Sequence, residues 1–269
     1  MGMIRTPEIL HPTVRKTFRD SSVFFLSQFK SIKRTSNWIR FPYFHRVLEG
    51  QRADFARMLG YLQEFGDFLP LDAVVDLLMS GAPIHGRHFC ITFDDGFRCC
   101  YDHALPILAE KGVPAAFFVA TDFVADEAAG EPRVCRPLHV GMTQCEEYLT
   151  WEECQRMMQA GMALGSHTCS HARLAELESG EVRRQLSESK NRIEEKTGRP
   201  CRHFACPFGI PGRDFVADRD PALARDMGFD SFLTNRRGPT RQGNSPWDLR
   251  RDHIRVEWGN YQLRYFLSQ

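Results

Sequence analysis

The stretch His88-Phe89-Cys90-Ile91-Thr92-Phe93-Asp94-Asp95-Gly96 decides how the rest of the chain is read. A short, largely apolar run delivers two adjacent carboxylates and then a glycine at which the chain can turn. Such a run, bounded by a turn signal, is the pattern of a buried strand feeding a loop. On either side, helical and strand-like patterns alternate. Arg40–His45 is expected as a strand, Asp54–Phe65 as a helix through Phe55, Met58, Leu59 and Leu62, and Leu71–Met79 as a second helix ended by Ser80-Gly81. After the opening stretch come a helix over Cys100–Lys111 and a strand over Ala115–Ala120. Residues 125–149 show little pattern and are expected as a long functional or disordered insertion.

Thr150-Trp151-Glu152-Glu153 fits a capping box that opens a helix running to Gly161. Met162–Ser166 is expected as a strand, Ser179 as the cap of a long helix to Gly198, and Arg202–Cys206 as a strand before Pro207. Asp220-Pro221 starts a helix to Gly228, with proline at the first helical position. Ser231–Thr234 and Leu249–Trp258 are the last expected strands, separated by a Gly/Pro/Asn-rich loop and followed by a short helix. Strands alternating with helices imply a parallel sheet with crossover connections. About seven such units suggest an α/β barrel rather than an open sheet. Its site would then lie at the C-terminal ends of the strands. Residues 1–35 lack clear periodicity and are expected as a basic extension preceding a barrel over 36–269.

Composition narrows the classes further. With 42% hydrophobic and 26% charged residues, the 269-residue chain is globular, and its net charge of +1 disfavours a dedicated nucleic-acid binder. No run approaches the roughly 18 apolar residues of a spanning helix, and no secretory signal is recognised, so a cytoplasmic location is expected. Residues 1–50 nevertheless carry a net charge of +6 around Val23-Phe24-Phe25-Leu26. That combination suits either peripheral contact with an anionic membrane at its inner face or a solvated extension packed on the domain. Nine cysteines, with no CxxC pair, suggest reduced thiols that mostly act as small buried hydrophobes.

Three clusters fall at expected strand ends. Asp94-Asp95-Gly96 pairs two carboxylates, although Asp-Gly is also an ordinary turn. His167 and His171 lie four residues apart in Gly165–His171. Two imidazoles at that spacing can converge on one ion, and with a carboxylate they form a facial set with open positions; a pair of structural histidines is the alternative. Phe204-Ala205-Cys206-Pro207-Phe208-Gly209 turns through proline and glycine. Such a turn either exposes a backbone N–H to a developing oxyanion or simply ends the strand. His11, His85, His103, His139 and His203 are expected as surface or structural histidines.

Together the clusters resemble the polysaccharide deacetylase family, the NodB-homology domain or carbohydrate esterase family 4. Thr92–Gly96 resembles its TFDDG motif, His167–His171 its H[ST]xxH motif and Phe204–Gly209 its FRPPYG motif. The separations, 72 residues from Asp95 to His167 and 37 from there to Phe204, suit the family. Tyr43-Phe44-His45-Arg46-Val47 is similar to a Y-H-x-V segment in members acting on exopolysaccharide or lipid-linked sugars.

The resemblance implies a distorted (β/α)7 TIM-like barrel of NodB type, acting as a metal-dependent hydrolase on an N-acyl, chiefly N-acetyl, amino sugar. The sugar would be part of a polysaccharide or of a lipid-linked or nucleotide-linked precursor, in lipopolysaccharide or exopolysaccharide biosynthesis. Asp95, His167 and His171 would bind Zn²⁺, with Co²⁺, Ni²⁺ or Mn²⁺ as alternatives. Asp94 would be the general base. Phe208 and Pro207 would shape the oxyanion turn, and His45 and Trp247 would line the cleft, with Trp247 or Phe232 walling the acyl pocket. The motif arginine is replaced by Ala205, so Arg250 or Arg251 is expected to orient the base, and His253 is the candidate general acid. Two further readings remain: an N-deformylase, and a carbohydrate-binding pseudoenzyme, the latter motivated by Ala205 and the imperfect context of His253. The oligomeric state is left open.

Overall fold

In a computed structural model of the protein, residues 12–136 and 146–268 are described. They fall into two compact units. One comprises Ser36–Glu257; the other comprises the N-terminal residues to Thr35 together with Trp258 onward.

The larger unit is built on seven parallel strands: β1 (Pro42–Phe44), β2 (Ile91–Phe93), β3 (Ala115–Val119), β4 (Ala163–Ser166), β5 (His203–Ala205), β6 (Ser231–Leu233) and β7 (Asp252–His253). Their order in the sheet is β6-β5-β4-β3-β2-β1-β7. One segment closes the curl. Leu249 bridges to Leu233 of β6, while Asp252 and His253 pair with Pro42 and Tyr43 of β1. The same few residues therefore touch both edges of the sheet, giving the distorted (β/α)7 barrel that the family resemblance implies. The expected ten-residue strand over Leu249–Trp258 is in fact this short closing piece. It must reach two strands in turn, so it cannot stay in one ladder.

Strand lengths reflect local breaks. The expected strand at Arg40–His45 divides at Phe41, and the opening stretch divides at Cys90. Their first halves, Trp38–Arg40 and Arg87–Phe89, form a separate parallel sheet with Asp67–Phe68. Burial is complete along β1, β2, β3, β5 and β6, as expected of strands covered on both faces. Between them, Phe93 and Phe117 stack with ring centroids 4.6 Å apart, and Phe44 packs on both Phe93 and Phe55. A further core joins Ile39, Phe41, Phe118, Ala205 and Leu249 to Leu71, Val74 and Val75 on one face of the helix Leu71–Ser80.

The surrounding helices obey their sequence signals with two exceptions. Thr150 accepts from the Glu153 N–H while the Glu153 side chain accepts from the Thr150 N–H, completing the capping box of the helix Trp151–Gln159. Ser179 is the first residue of the helix Ser179–Thr197 rather than its cap; Glu178 holds that position without a side-chain bond. The helix expected over Cys100–Lys111 starts as a wider π turn over Cys100–Ala104 and becomes α-helical at Leu105. Within 125–149, Cys135–Arg136 pairs antiparallel with Glu146–Glu147.

In the second unit, Pro12–Ser27 is helical, contrary to the unpatterned extension expected. It packs along the helix Asn260–Leu267: Phe24 meets Tyr261 edge-on at 5.5 Å, and Arg264 donates to the Ser27 hydroxyl at 3.2 Å. This pairing is tertiary and leaves little trace in local periodicity. Among the described cysteines, seven are free thiols, six of them buried. Cys135 is instead disulfide-bonded, which corrects the expectation of uniformly reduced thiols. His11, His139 and Cys145 lie outside the described residues. His203 is buried and structural, between the Ser231 hydroxyl at 2.9 Å and an Asp72 oxygen at 3.1 Å.

Candidate metal centre and active site

Parallel strands in register end at one rim, so the residues that follow them gather there. Phe44 pairs with Phe93, Phe93 with Phe117, and Ser166 with both Val119 and Phe204. His45, Asp94, His167 and Cys206 are the residues immediately after β1, β2, β4 and β5. A cavity of about 290 Å³ lies at the other rim, where Asp72, Ala115, Ala163 and His203 line it and none of the clustered residues occurs.

Asp95, His167 and His171 converge, with one donor atom from each lying within 4.8 Å of the others. Nε2 of His167 and of His171 lie 3.4 and 3.2 Å from Asp95 Oδ1. That oxygen is shielded from solvent yet forms no hydrogen bond of acceptable geometry. Three donors facing one point, one of them a buried orphan oxygen, fit a divalent cation better than they satisfy each other. His167 is oriented from behind by Nδ1 contacting the Ala205 carbonyl at 2.7 Å, which presents Nε2 to the cluster. Its loop is tied to the helix Ser179–Thr197 by Gln185, whose Oε1 accepts from the Cys169 and Ser170 N–H groups.

Backbone strain collects here. Among the described residues, five non-glycine residues have positive φ, and Asp95, Thr168, His171 and Phe208 are four of them. Such conformations cost of order 1–3 kcal/mol each and persist where surrounding contacts over-determine them.

Asp94 is 2% exposed and pairs with both terminal nitrogens of the fully buried Arg251, at 2.6 and 2.8 Å. Burial pushes the Asp94 carboxyl up, but Arg251 and then His167 outweigh it and hold it below the usual carboxylate range. Asp95 is likewise pushed up by burial, but its two histidines draw it well below that range. Burial opposes charge on His167, and Asp94 and Asp95 overcome it to raise its pKa. A bound cation inverts this last preference, because ligating imidazoles are neutral.

Arg251, rather than Arg250, is therefore the arginine at Asp94; Arg250 is partly exposed and approaches Asp248 at 3.9 Å. Ala205 is buried in the core and contributes its carbonyl instead. Two residues not singled out from the sequence hold Arg251 in place. Its Nε donates to the Thr234 carbonyl at 3.1 Å, and Nη2 donates to Asn235 Oδ1 at 2.7 Å. Asn235 Nδ2 in turn donates to the Phe208 carbonyl at 2.7 Å, linking the Asp94–Arg251 pair to the Pro207-Phe208-Gly209 turn. A side chain at Gly209 would put Cβ 2.7 Å from the Asn235 nitrogen, so only glycine fits this junction. Asn235 lies two residues beyond the end of β6, and no sequence motif marks it.

Phe208 presents its ring to the rim, edge-on to His171 at 4.8 Å and under the Arg173 guanidinium at 4.4 Å. Pro207, before it, is buried. Tyr43 lies under Arg251, with the guanidinium carbon 4.6 Å from its ring centroid, and burial pushes its hydroxyl up to about 12. Tyr43, His45 and His253 form an aromatic triangle with centroids 5.0–5.6 Å apart. His45 and His253 also line a cavity of about 220 Å³ with Arg46, Gln51 and Arg255. Trp247 is half-buried in a 3₁₀ turn before Leu249 and makes no ring contact with these residues among those described. Phe232 is buried between Phe204 and Phe215, in the core rather than on a pocket wall.

The sequence profile described as Polysaccharide deacetylase matches residues 82–230. Among curated proteins, a chitooligosaccharide deacetylase of Rhizobium leguminosarum bv. phaseoli is 32% identical over 123 residues, 45% of this chain and 44% of that protein. One of Bradyrhizobium is 28% identical over 154 residues, 56% of this chain and 58% of that protein. The chain thus matches about half the length of these relatives. Among solved structures, IcaB from Ammonifex degensii shares the fold with a TM-score of 0.71 at 23% identity, covering 87% of this chain and 99% of that one. Streptococcus pyogenes deacetylase PplD gives 0.70 at 20% identity, covering 87% and 100%. With the matched span covering more than half of its sequence, including all three motif clusters, this chain belongs to the polysaccharide deacetylase family.

Proposed function

We propose that this protein hydrolyses the N-acetyl group of an amino sugar, with Asp95, His167 and His171 holding a divalent metal and Asp94 serving as general base. The observation that carries the reading is the buried Asp94–Arg251 pair one residue from the orphan Asp95 oxygen. A structural carboxylate has no need of a second, unsatisfied neighbour aimed at two imidazoles. The curated chitooligosaccharide deacetylases support the acyl-sugar substrate.

A divalent ion in the triad supplies Lewis-acid chemistry, activating water and polarising an amide carbonyl. The chain's residues do the rest. Asp94, kept ionised by Arg251, accepts the proton of the attacking water, a contribution of roughly 10²–10⁴-fold. The Phe208 N–H stabilises the oxyanion, in a turn held by Asn235 and Gly209. His253, beside Tyr43 and His45, protonates the departing amine. Burial, reinforced by His45, pushes His253 down to about 4, so at neutral pH it must first receive a proton within the cycle. Metal choice follows the donor set: two imidazoles and one carboxylate suit Zn²⁺.

The test measures metal content together with acetate and formate release from a panel of N-acylated sugars and nucleotide sugars. Near-stoichiometric metal and acetate release that collapses in Asp94→Asn support the reading. Formate in place of acetate would make the enzyme a deformylase. Metal retention with no acid released from any substrate would overturn hydrolysis in favour of binding.

A further inference from the structure

We infer that the end of the helix Pro12–Ser27 and the basic turn after it form a docking surface for an anionic phospholipid membrane. Eight large apolar side chains are exposed among the described residues, and four of them, Phe24, Phe25, Leu26 and Phe29, fall within six consecutive positions. Isolated exposed apolar residues are ordinary on protein surfaces; a contiguous set marks an interaction site. Phe25 and Phe29 are 64% and 72% exposed and contact each other edge-on at 5.4 Å, so they project as one apolar unit. Packing elsewhere in this unit leaves them outward. Phe24 leans on Tyr261 and Ser27 is buried beneath Arg264, which uses the inner side of the helix and leaves Phe25 and Phe29 away from that contact.

Charge identifies the partner. Lys30, Lys33 and Arg34 follow directly and are exposed, and no Asp or Glu occurs between Asp20 and Glu49. An apolar ridge of phenylalanine and leucine beside cations and without acids matches the boundary between acyl chains and anionic headgroups. No helix among the described residues is long and apolar enough to cross a membrane, so the contact is interfacial.

The experiment measures co-sedimentation of the full chain with mixed phosphatidylcholine–phosphatidylglycerol vesicles and with phosphatidylcholine vesicles. The expected result is partition onto the mixed vesicles, much weaker partition onto the neutral ones, and release as salt rises. Phe25→Ser/Phe29→Ser, by removing the apolar insertion, and Lys30→Glu/Lys33→Glu, by reversing the charge facing the headgroups, should each reduce the partition constant by more than about tenfold. Both should keep the wild-type unfolding temperature, which separates loss of docking from loss of fold. Failure of the wild type to bind mixed vesicles overturns the inference, as does equal binding to both vesicle types at all salt concentrations. A wild-type dimer in light scattering that the phenylalanine variant disperses, without lipid binding, would assign the patch to a second copy of the chain instead.

Discussion

Replacing Arg251 with Met probes the pair on which the proposed role of Asp94 as general base depends. The guanidinium is fully buried and meets both Asp94 oxygens at 2.6 and 2.8 Å. With Asp94 only 2% exposed, water cannot take its place freely. Removing one partner of a buried pair leaves an uncompensated charge, at a cost of about 3–5 kcal/mol. The Thr234 carbonyl and Asn235 Oδ1 lose a donor as well, so the upper part of that range is expected. At about 2–4 °C per kcal/mol for a chain of this size, the unfolding midpoint should fall by roughly 8–20 °C. Acid release should fall with it, by about the 10²–10⁴-fold that a general base contributes. The double variant Asp94→Asn/Arg251→Met removes both charges. It should recover much of the lost stability while remaining inactive, because a neutral pair leaves no buried ion. Calorimetry and an acetate assay on wild type, both single variants and the double variant complete the cycle. An unchanged midpoint in Arg251→Met, or a double variant no more stable than Arg251→Met, would refute the argument that Arg251 compensates a buried Asp94 charge.

Other outcomes follow from the same geometry. Adding Zn²⁺ to chelator-treated protein should raise the unfolding midpoint, by about 2.7 kcal/mol of stability at a hundred times Kd, and Asp95→Ala or His171→Ala should abolish the shift. An equal shift in either variant would place the metal elsewhere. His253 is pushed down to about 4, chiefly by burial, so the unfolded chain binds its proton first as pH falls below about 6.5. Stability should therefore decline between about pH 6.5 and 4, and His253→Gln should flatten that decline; identical slopes for the two proteins would count against a buried neutral imidazole. Asp94 acts with the same sign in a lower window. Its lowered pKa contributes stability above about pH 3.9 that is lost as pH drops through its folded value, and Asp94→Asn should lack that loss in acid denaturation. Gly165→Ala places Cβ 2.5 Å from the Phe118 ring and 2.8 Å from the His203 carbonyl. Denaturant titration should show about 1–3 kcal/mol of destabilisation, and an unchanged midpoint would mean that β3 to β5 can spread without cost.

Much of the site was legible because it follows strand ends. Asp94, Asp95, His167 and His171 are local in sequence, and a parallel sheet in register carries every strand end to one rim. Arg251 was legible only as one of two neighbours, since alternation along a short extended segment decides which side chain enters the barrel. Asn235 carried no recognisable pattern, because its role depends on reaching both Arg251 and the Phe208 carbonyl at once. Trp247 looked suitable by type alone, but its turn precedes the rim residues of the closing segment.

Local sequence encodes the alternation of buried strands and amphipathic helices, the capping box at Thr150–Glu153 and which residues follow the strand ends. These rest on interactions within a few residues, which periodicity and spacing encode. Tertiary structure decided how Leu249 and His253 close the barrel between β6 and β1, which arginine neutralises Asp94, and that Pro12–Ser27 becomes a helix packed along Asn260–Leu267. Each of these joins residues far apart in the chain, and their free energy arises only when burial removes water from both partners together.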